Sequence, residues 1–414
     1  MARDTFYTAV DIGTEKVTSI MARVGTEGEL KVLGTGVVTS HGMQKGVIEN
    51  LDEVHSSVQE SMEEAQRYIG RGVPTGVYAS VTGAHVASLN IREMVDNPDD
   101  LSGVRDRLQD RLLRGAFPEV GPNQELLHVI PVGFHVDGVP GVRNPVGLHG
   151  NLVEIEAHVV MGDAEAMKGT AKAIETNKTT VKSMVMQSLA SAEATLTGDE
   201  KEMGVVLVDM GGGTTDIAIY SQGQPWYSAV IPVGGMQMTR DLSVALKTPM
   251  HIAEEMKIKW GCVMPEMVAA DDEVVIPSFQ GQPQHSLSRR ILSDPLNARM
   301  MEIIKLIVMK VTQSGLKSFP SGGIVLTGGG AEMTGLAELV QKTLGGQVRI
   351  GYPEGIAGLP DQLRKPAFSA AVGLLLWGIK HQGETRSSLN GDRSMSGLKS
   401  FRWGLGRRKV AAVR

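Results

Sequence analysis

Short apolar segments bounded by glycine turns fill the beginning of the chain. Their length and their content of β-branched and aromatic residues are typical of buried strands, and the predicted strands cover 6–12, 17–24, 31–39 and 77–83. Between the last two, apolar residues recur every three or four positions over about 51–69. This period predicts a helix with Asn50 as its N-cap and Gly70 as its C-cap. Strands that alternate with helices indicate an α/β layer architecture.

The alternation of apolar strands and helices stops at residue 84 and resumes at residue 163. The stretch 84–162 is polar, with a charged helix predicted near 101–114, a Pro/Gly-rich run and the alternating strand 152–160, so it predicts a small inserted subdomain. The α/β pattern then continues. Its predicted helices cover 163–176, 238–261, 297–316 and 367–378, and its predicted strands cover 204–209, 214–220 and the start of 323–330.

A short internal repeat marks the ends of two strands. The segments AVDIGT (9–14) and LVDMGGGTTD (207–216) share the order apolar, Val, Asp, apolar, Gly and Thr. Their aspartates, Asp11 and Asp209, each stand where a strand enters a glycine hairpin. The matched setting indicates a duplication.

Each hairpin has the chemistry of a phosphate site. Glycine lets backbone N–H groups approach phosphate oxygens, and the threonine hydroxyl adds a donor. An aspartate would repel a bare phosphate, so it fits with a cation between them, and Mg²⁺ is held by a few carboxylates plus phosphates. Two facing hairpins would clamp a triphosphate, although each alone is also consistent with an ordinary hairpin. In a third element, 322–336, a glycine run follows a buried strand and opens a helix, and its backbone could lie against an adenine ring.

Composition excludes several other classes of function. The 414 residues carry 41 basic and 46 acidic side chains, and a net charge of −5 with 4% aromatics argues against a general nucleic-acid binder. The single cysteine, Cys262, excludes an internal disulfide, and a small buried hydrophobe fits it better than a nucleophile. P-loop, Rossmann, HExxH and GxSxG motifs are absent from the sequence. No apolar run reaches the roughly 18 residues of a membrane span, so we expect the body of the protein to stay in the cytoplasm.

The end of the chain differs from the rest. Residues 381–396 are polar and Ser/Gly-rich, which predicts a flexible linker. The last 18 residues, 397–414, hold six basic residues and no acidic one.

Together, the two Asp-Gly-Thr hairpins and the third glycine loop resemble the actin, Hsp70 and sugar-kinase superfamily. Within it, the sequence is similar to the FtsA family of actin-like bacterial cell-division proteins over roughly 5–380. The most specific segments are SVTGAHV (80–86), ELLHVIPVGFHVDGVPGVRNPVGLHG (125–150), SLASAEATLTGDEKEMGVVLVDMGGGTTDIAIY (188–220), IPVGG (231–235) and AEEMKIKWGCV (253–263).

This resemblance implies a duplicated actin-like (ribonuclease H-like) α/β ATPase fold, with two lobes around a nucleotide cleft and a small inserted α/β subdomain. The implied parts are 1A (1–83 with 163–195 and 365–380), 1C (84–162), 2A (196–248 with 319–364), 2B (249–318), a flexible linker (381–396) and an amphipathic membrane-targeting helix (397–414).

The resemblance also implies ATP and Mg²⁺ as ligands and assigns their residues. The first phosphate loop has Asp11, Gly13, Thr14 and Lys16; the second has Asp209, Gly211, Gly212, Gly213, Thr214 and Thr215; the adenosine side has Glu254, Lys257, Gly328, Gly329 and Gly330. Asp11 and Asp209 would stand near the metal, through water.

Gln187 resembles the residue that orients the attacking water. The family often has Glu there, so at most weak ATPase activity is expected, and a helix-surface amide is the alternative. After IPVGG the family usually has Asn, whereas this chain has Met236-Gln237, so a local contact would differ.

As function, the resemblance implies an ATP-binding protein that polymerises and tethers the FtsZ ring to the inner face of the cytoplasmic membrane at the division site. Its partners would be FtsZ (through about 249–318), further copies of itself, anionic lipid and other division proteins, and no nucleic acid. The family attaches to the membrane by a C-terminal amphipathic helix. The matching residues here are Leu398, Phe401, Trp403, Leu405, Arg407, Arg408 and Lys409. A solvated basic tail without a target is the alternative.

Two other functions stay open at this point. A related actin-like pilus-assembly scaffold would share the fold and would not be expected to carry the basic tail. A sugar-kinase-like phosphotransferase would need a catalytic aspartate beside a sugar pocket, and the sequence identifies no such residue.

Overall fold

Strands and helices alternate along the chain as expected of an α/β protein. The structure is a computed structural model that describes residues 5–25, 29–67, 69, 76–96, 123–143, 150–175, 179–277, 285–356 and 358–381. The strands, in chain order, are β1 (Thr5–Ile12), β2 (Lys16–Val24), β3 (Leu30–Thr39), β4 (Met43–Gln44), β5 (Val47–Ile48), β6 (Gly76–Val81), β7 (Ala87–Asp96), β8 (Gln124–Val136), β9 (Val139–Val142), β10 (Leu152–Asp163), β11 (Thr180–Met186), β12 (Val205–Met210), β13 (Thr215–Ser221), β14 (Gln224–Ile231), β15 (Glu273–Ile276), β16 (His285–Ser288), β17 (Ile324–Thr327) and β18 (Val348–Ile350). The α-helices are α1 (Leu51–Gln66), α2 (Ala164–Ile174), α3 (Gln187–Thr195), α4 (Gly198–Met203), α5 (Gly235–Leu246), α6 (Met250–Trp260), α7 (Arg290–Gln313), α8 (Leu336–Leu344) and α9 (Ser369–Lys380).

Two five-stranded sheets of the same topology form the body of the molecule. The first has the order β11-β6-β1-β2-β3 and the second the order β18-β17-β12-β13-β14. In each sheet the strand that carries the repeated aspartate pairs antiparallel with the next strand and parallel with a later one. The duplication predicted from a few residues therefore extends to whole sheets. We call the first sheet with its helices the first lobe and the second sheet with its helices the second lobe.

Strand β12 is buried on both faces, and its alternate residues enter two different cores. Val205 and Leu207 belong to a core that also contains residues of the first sheet, including Val10. Val206 and Val208 face a second core, which the helices after β14 complete. A strand covered on both faces has a continuous apolar sequence instead of an alternating one, which is why VVLV reads as a single apolar run. The shared core joins the two lobes.

Helices α3 and α9 pack closely between the lobes. A Cβ atom at Gly373 of α9 would lie 1.8 Å from the carbonyl oxygen of Ala190 in α3. Only glycine allows this approach, so Gly373 sets the distance between the two helices.

The predicted insertion forms a sheet of its own, with the order β7-β10-β8-β9. It lies between β6 and α2 in the chain, and the predicted strand 152–160 is part of β10. The helix predicted near 101–114 lies outside the described residues.

Several predicted boundaries need correction. Asn50 caps α1, because its side-chain oxygen accepts from Asp52 N at 3.2 Å; the helix ends at Gln66, and the predicted C-cap Gly70 lies outside the described residues. The helix predicted over 238–261 is wrong as one element. It divides into α5 and α6, because Lys247 adopts a left-handed φ of 50° and Pro249 is the N-cap of the next helix.

Two further helices begin elsewhere than predicted. The helix predicted over 297–316 is α7, which begins at Arg290 and ends at Gln313. The glycine run at 328–330 opens a short 3-10 turn, Gly329–Glu332, whereas the α-helix that follows begins only at Leu336.

Candidate functional site

Two tight turns of the same form stand at the ends of β1 and β12. The N–H of Gly13 donates to the carbonyl of Lys16 at 3.0 Å, and the N–H of Gly211 donates to that of Thr214 at 2.8 Å. In each case the aspartate is the last residue but one of the strand before the turn. We call them the first and second turns.

The first and second turns contact each other. A Cβ atom on Gly213 would lie 2.4 Å from Thr14 Oγ1 and 2.9 Å from the backbone nitrogen of Lys45. A Cβ atom on Gly212 would lie 2.5 Å from Cγ of Glu15. Glycine is thus required on the second turn, and the fold brings together the two motifs that the repeat identified.

Asp11 is buried beneath the first turn. Ser80 Oγ donates to Asp11 Oδ1 at 2.7 Å and accepts from the N–H of Ile12 at 3.2 Å. Burial raises the pKa of Asp11, while the Ser80 hydrogen bond and the Lys16 charge act in the opposite direction. Burial lowers the pKa of Lys16, and the charges of Asp11 and Asp209 oppose that effect. Lys16 therefore lies within electrostatic range of both aspartates.

Asp209 is buried in the second lobe and receives two side-chain hydrogen bonds. Ser191 Oγ donates to Asp209 Oδ2, and Gln187 also hydrogen-bonds the carboxylate. Burial raises the pKa of Asp209 to about 6, and the charge of Asp11 adds to the rise. The two repeated carboxylates are therefore close enough to interact across the cleft between the lobes.

Gln187 is not a surface amide. Its side chain is 8% exposed and lies at the start of α3. Because it is bonded to Asp209 and lies near Gly211, the alternative of a helix-surface residue is wrong.

Asp216 belongs to the site, and the sequence reasoning missed it. Thr82 Oγ1 donates to Asp216 Oδ1 at 2.7 Å, and Thr214 Oγ1 donates to Oδ2 at 2.9 Å. Burial raises the pKa of Asp216 to about 8, and the charge of Asp209, its partner in the strand register, adds to the rise. The available signal was the final Asp of the second motif, which the first motif lacks.

Helix α5 holds the second turn from the other side. The N–H groups of Gly235 and Met236 donate to the carbonyls of Gly211 and Gly212 at 2.9 and 2.8 Å. Met236 thus contributes its backbone at the position where the family pattern differs. The side chain of Thr215 is directed elsewhere, because its hydroxyl donates to the carbonyl of Val233 at 2.8 Å.

Glu254 and Lys257 form an ion pair beside α5. Their side chains are 2.7 Å apart, and Lys257 Nζ also donates to the carbonyl of Gly235 at 3.1 Å and to Thr239 Oγ1 at 2.8 Å. The two predicted residues therefore stand together next to the helix that supports the second turn.

The third glycine run, Gly328–Gly330, lies against the carboxylate of Asp209. Gly328 has a φ of +80°, and a Cβ atom there would lie 2.3 Å from Asp209 Oδ1. A Cβ atom on Gly330 would meet Cβ of Met210 at 2.8 Å, whereas Gly329 only faces Ala367 at 3.8 Å. Bare backbone is thus required where this run passes the end of β12.

These residues fit a metal-bound nucleotide. The glycine turns bring bare backbone next to the buried carboxylates of Asp11, Asp209 and Asp216, and a cation would offset the charge that burial makes unfavourable there. Among the described residues, no group of three or more His, Cys, Asp or Glu side chains is arranged to hold a metal. Mg²⁺ typically keeps several water ligands and is bound by one or two carboxylates plus phosphates, and two buried aspartates could supply the carboxylates.

The predicted membrane residues, Leu398 to Lys409, lie outside the described residues. Within the part of the chain that is described, no helix is both long and apolar enough to cross a bilayer. Cys262 is buried, as expected from its role as a small hydrophobe.

Comparison with known proteins gives consistent results. A family model described as cell division protein FtsA matches residues 206–373, and one described as the SHS2 domain inserted in FTSA matches residues 83–161. The chain is 36% identical over 384 residues to cell division protein FtsA of Pseudomonas aeruginosa, covering 91% of this chain and 90% of that protein. It is 34% identical over 390 residues to that of Escherichia coli K12, covering 92% and 91%.

Solved structures of low identity share the fold. A PilM-PilN type IV pilus biogenesis complex matches with a TM-score of 0.64 and 16% identity, over 90% of this chain and 98% of that one. MreB5 of Spiroplasma citri bound to ADP matches with a TM-score of 0.51 and 13% identity, over 90% and 95%. These similarities confirm the predicted actin-like fold.

Proposed function

The chain belongs to the FtsA family of cell division proteins, and from this premise we propose that it binds ATP and Mg²⁺, polymerises and tethers FtsZ to the membrane. It would act at the cytoplasmic face of the cell membrane, at the division site, together with other division proteins. The observation that supports nucleotide binding is the contact between the first and second turns, with Asp11 and Asp209 buried beneath them.

The residues divide the task of binding between the two lobes. The N–H groups of Gly13 and Gly211 close their own turns. Those of Thr14, Gly212, Gly213 and Thr214 would donate to phosphate oxygens, with Lys16 supplying positive charge. Asp11 and Asp209 would hold Mg²⁺ through water, and the ion would neutralise the phosphate charge. Glu254, Lys257 and the run Gly328–Gly330 would bind the adenosine end.

Hydrolysis would be weak at most. Gln187 is the proposed water-orienting residue, but an amide cannot act as a strong base, and its side chain is already bonded to Asp209. ATP would thus act mainly as a switch that closes the lobes and favours filament contacts.

Membrane attachment would come from 397–414. Each of its six basic residues would contribute about 1 kcal/mol on an anionic surface. A single such segment binds weakly, whereas a filament presents many copies at once and so gains by avidity. The surface for FtsZ is proposed to lie within 249–318.

Co-sedimentation with anionic vesicles tests this function. The full chain is compared with a chain that ends at Ser396, with and without ATP and Mg²⁺, and with FtsZ added. We expect the full chain to sediment with the vesicles, more so with ATP, and to bring FtsZ with it, whereas the shortened chain stays in solution. Vesicle binding that ignores both the truncation and ATP would overturn the tethered-filament proposal and would favour a pilus-type scaffold. ATP-dependent phosphorylation of a small molecule would instead favour the kinase alternative.

A further inference from the structure

One short segment, 82–90, forms hydrogen bonds to the second lobe at two separate places. The first, which we call the loop contact, joins Thr82 to Thr214 and Asp216. The second, which we call the seam, joins Ser88, Asn90 and His158 to Trp226 and Ser228. Nothing in the proposed function assigns a role to this segment.

The loop contact lies directly behind the second turn. Thr82 Oγ1 is 2.7 and 2.8 Å from the two carboxylate oxygens of Asp216 and 3.2 Å from Thr214 Oγ1. All three side chains are buried. Since Thr214 closes the second turn, any change in that turn moves a partner of Thr82.

The seam joins two edge strands, β7 of the inserted sheet and β14 of the second sheet. Ser88 Oγ donates to the carbonyl of Ser228 at 2.7 Å and accepts from the N–H of the same residue at 3.1 Å. Asn90 Nδ2 donates to the carbonyl of Trp226 at 2.9 Å. Side chains of the insertion thus satisfy backbone groups that an edge strand would otherwise expose.

The amide of Asn90 fixes the direction of both hydrogen bonds that His158 makes in the seam. Because Asn90 donates through Nδ2, its Oδ1 accepts from Nδ1–H of His158 at 2.8 Å. His158 Nε2 then accepts from the hydroxyl of Ser228 at 2.9 Å. The ring is fully buried, and burial lowers its pKa to about 4, so it is neutral near pH 7.

The two contacts meet on one hairpin of the second lobe. In the β13–β14 register Asp216 pairs with Val230, and Ala218 pairs with Ser228. Within the segment, a tight turn connects Thr82 to Ser88, in which the N–H of Val86 donates to the carbonyl of Gly83 at 3.0 Å. A displacement at Thr82 therefore reaches Ser88 within six residues.

We propose that segment 82–90 couples nucleotide occupancy of the second turn to the docking of the inserted sheet on β14. Ordering of the Gly211–Thr214 turn by phosphate would fix Thr214 and Asp216, and through Thr82 it would hold Ser88 and Asn90 on the edge of β14. The inference deepens the proposed function and rests on it, because ATP is taken as the ligand.

Thermodynamic reciprocity gives a sharp test. If ATP stabilises the seam, the seam must stabilise bound ATP by the same factor. Ser88→Ala removes both bonds to Ser228, and Asn90→Ala removes the bond to Trp226 together with the bond from His158. We expect each to weaken ATP·Mg²⁺ binding about fivefold or more, the lower range of measured couplings. Ser56→Ala is the matched control, because this exposed hydroxyl donates to the carbonyl of Asp52 within α1.

Hydrogen exchange gives a second readout on the full chain. In the unaltered protein, ATP·Mg²⁺ should slow amide exchange in β14, and in Ser88→Ala that response should disappear while Ser56→Ala retains it. Unchanged exchange in β14 despite ATP binding, or full ATP affinity in both seam variants, would overturn the coupling alone. Failure of the unaltered chain to bind ATP would overturn the proposed function as well.

Discussion

Replacing Asp209 by Asn should make the nucleotide-free protein more stable while it abolishes ATP·Mg²⁺ binding. Asp209 is 2% exposed, and its pKa is raised from 3.8 to about 6. Since a change of one in pKa corresponds to 1.36 kcal/mol, the buried charge destabilises the folded state by about 3 kcal/mol at neutral pH. Asn is of similar shape, can still accept from Ser191 and carries no charge.

The pH dependence of this gain has a definite sign. A carboxylate whose folded-state pKa lies above its unfolded value binds more protons in the folded state between those two values. The destabilisation is therefore absent below about pH 4, grows between pH 4 and 6, and is complete above about pH 6. The advantage of Asp209→Asn should follow the same course.

Denaturant unfolding from pH 4 to pH 8, with and without ATP and Mg²⁺, measures both effects. The unaltered chain should gain about 2.7 kcal/mol from ligand at a hundred times its Kd, and Asp209→Asn should gain nothing. Asp199→Asn, on the exposed first turn of α4, is the matched control and should change neither quantity by more than a few tenths of a kcal/mol. A variant less stable than the unaltered chain at pH 7.5, or one still stabilised by ATP, would refute the account of Asp209 as a strained metal-side carboxylate.

Two glycine substitutions test the close contacts. Gly213→Ala should weaken ATP binding about tenfold, because overpacking against Thr14 and the Lys45 backbone costs about 1–3 kcal/mol. Gly198→Ala should leave ATP binding unchanged, because its Cβ would meet nothing within 4 Å. A fluorescent-nucleotide titration compares the two variants. Gly373→Ala should lower the free energy of unfolding, measured in urea, by at least about 1–3 kcal/mol, because the Cβ would meet the Ala190 carbonyl. Gly169→Ala in α2 should raise it by about 0.5–1 kcal/mol, because alanine is favoured over glycine inside a helix. Equal effects within either pair would contradict the contact geometry.

The sequence predicted the parts of the fold that local pattern determines. Strands β1 and β12 and their turns follow from an apolar run that ends in Asp-x-Gly, and Asn50 caps α1 as its residue type indicates. The break between α5 and α6 was also encoded locally, by Pro249, but the apolar period continued across it and concealed it.

The partners of the site could not be predicted in the same way. Ser80 and Ser191 lie 69 and 18 residues from the aspartates they contact, and a serine at the end of a strand or inside a helix has no pattern that identifies it. Asp216 was present in the motif, but its alternation with Ile217 also fits an ordinary strand, so only burial and Thr82 distinguish it. Similarly, Gln187 could be placed beside Asp209 only once the packing of α3 was known.

The arrangement of carboxylates explains why polar contacts join the two lobes at this site, in addition to the shared apolar core. The charge of Asp11 raises the pKa of Asp209, and the charges of both raise the pKa of Asp216, so without a cation the site disfavours its own closed form. Hydroxyl groups of Ser80, Thr82 and Ser191 offset part of that repulsion, but a hydrogen bond is worth less than a neutralising ion. A site built in this way would gain most from the proposed nucleotide and cation when the lobes are closed, because both halves would then share one cation. A ligand shifts a conformational equilibrium only by its differential affinity for the two conformations. A filament that depends on nucleotide requires such a difference in affinity between the open and the closed lobes.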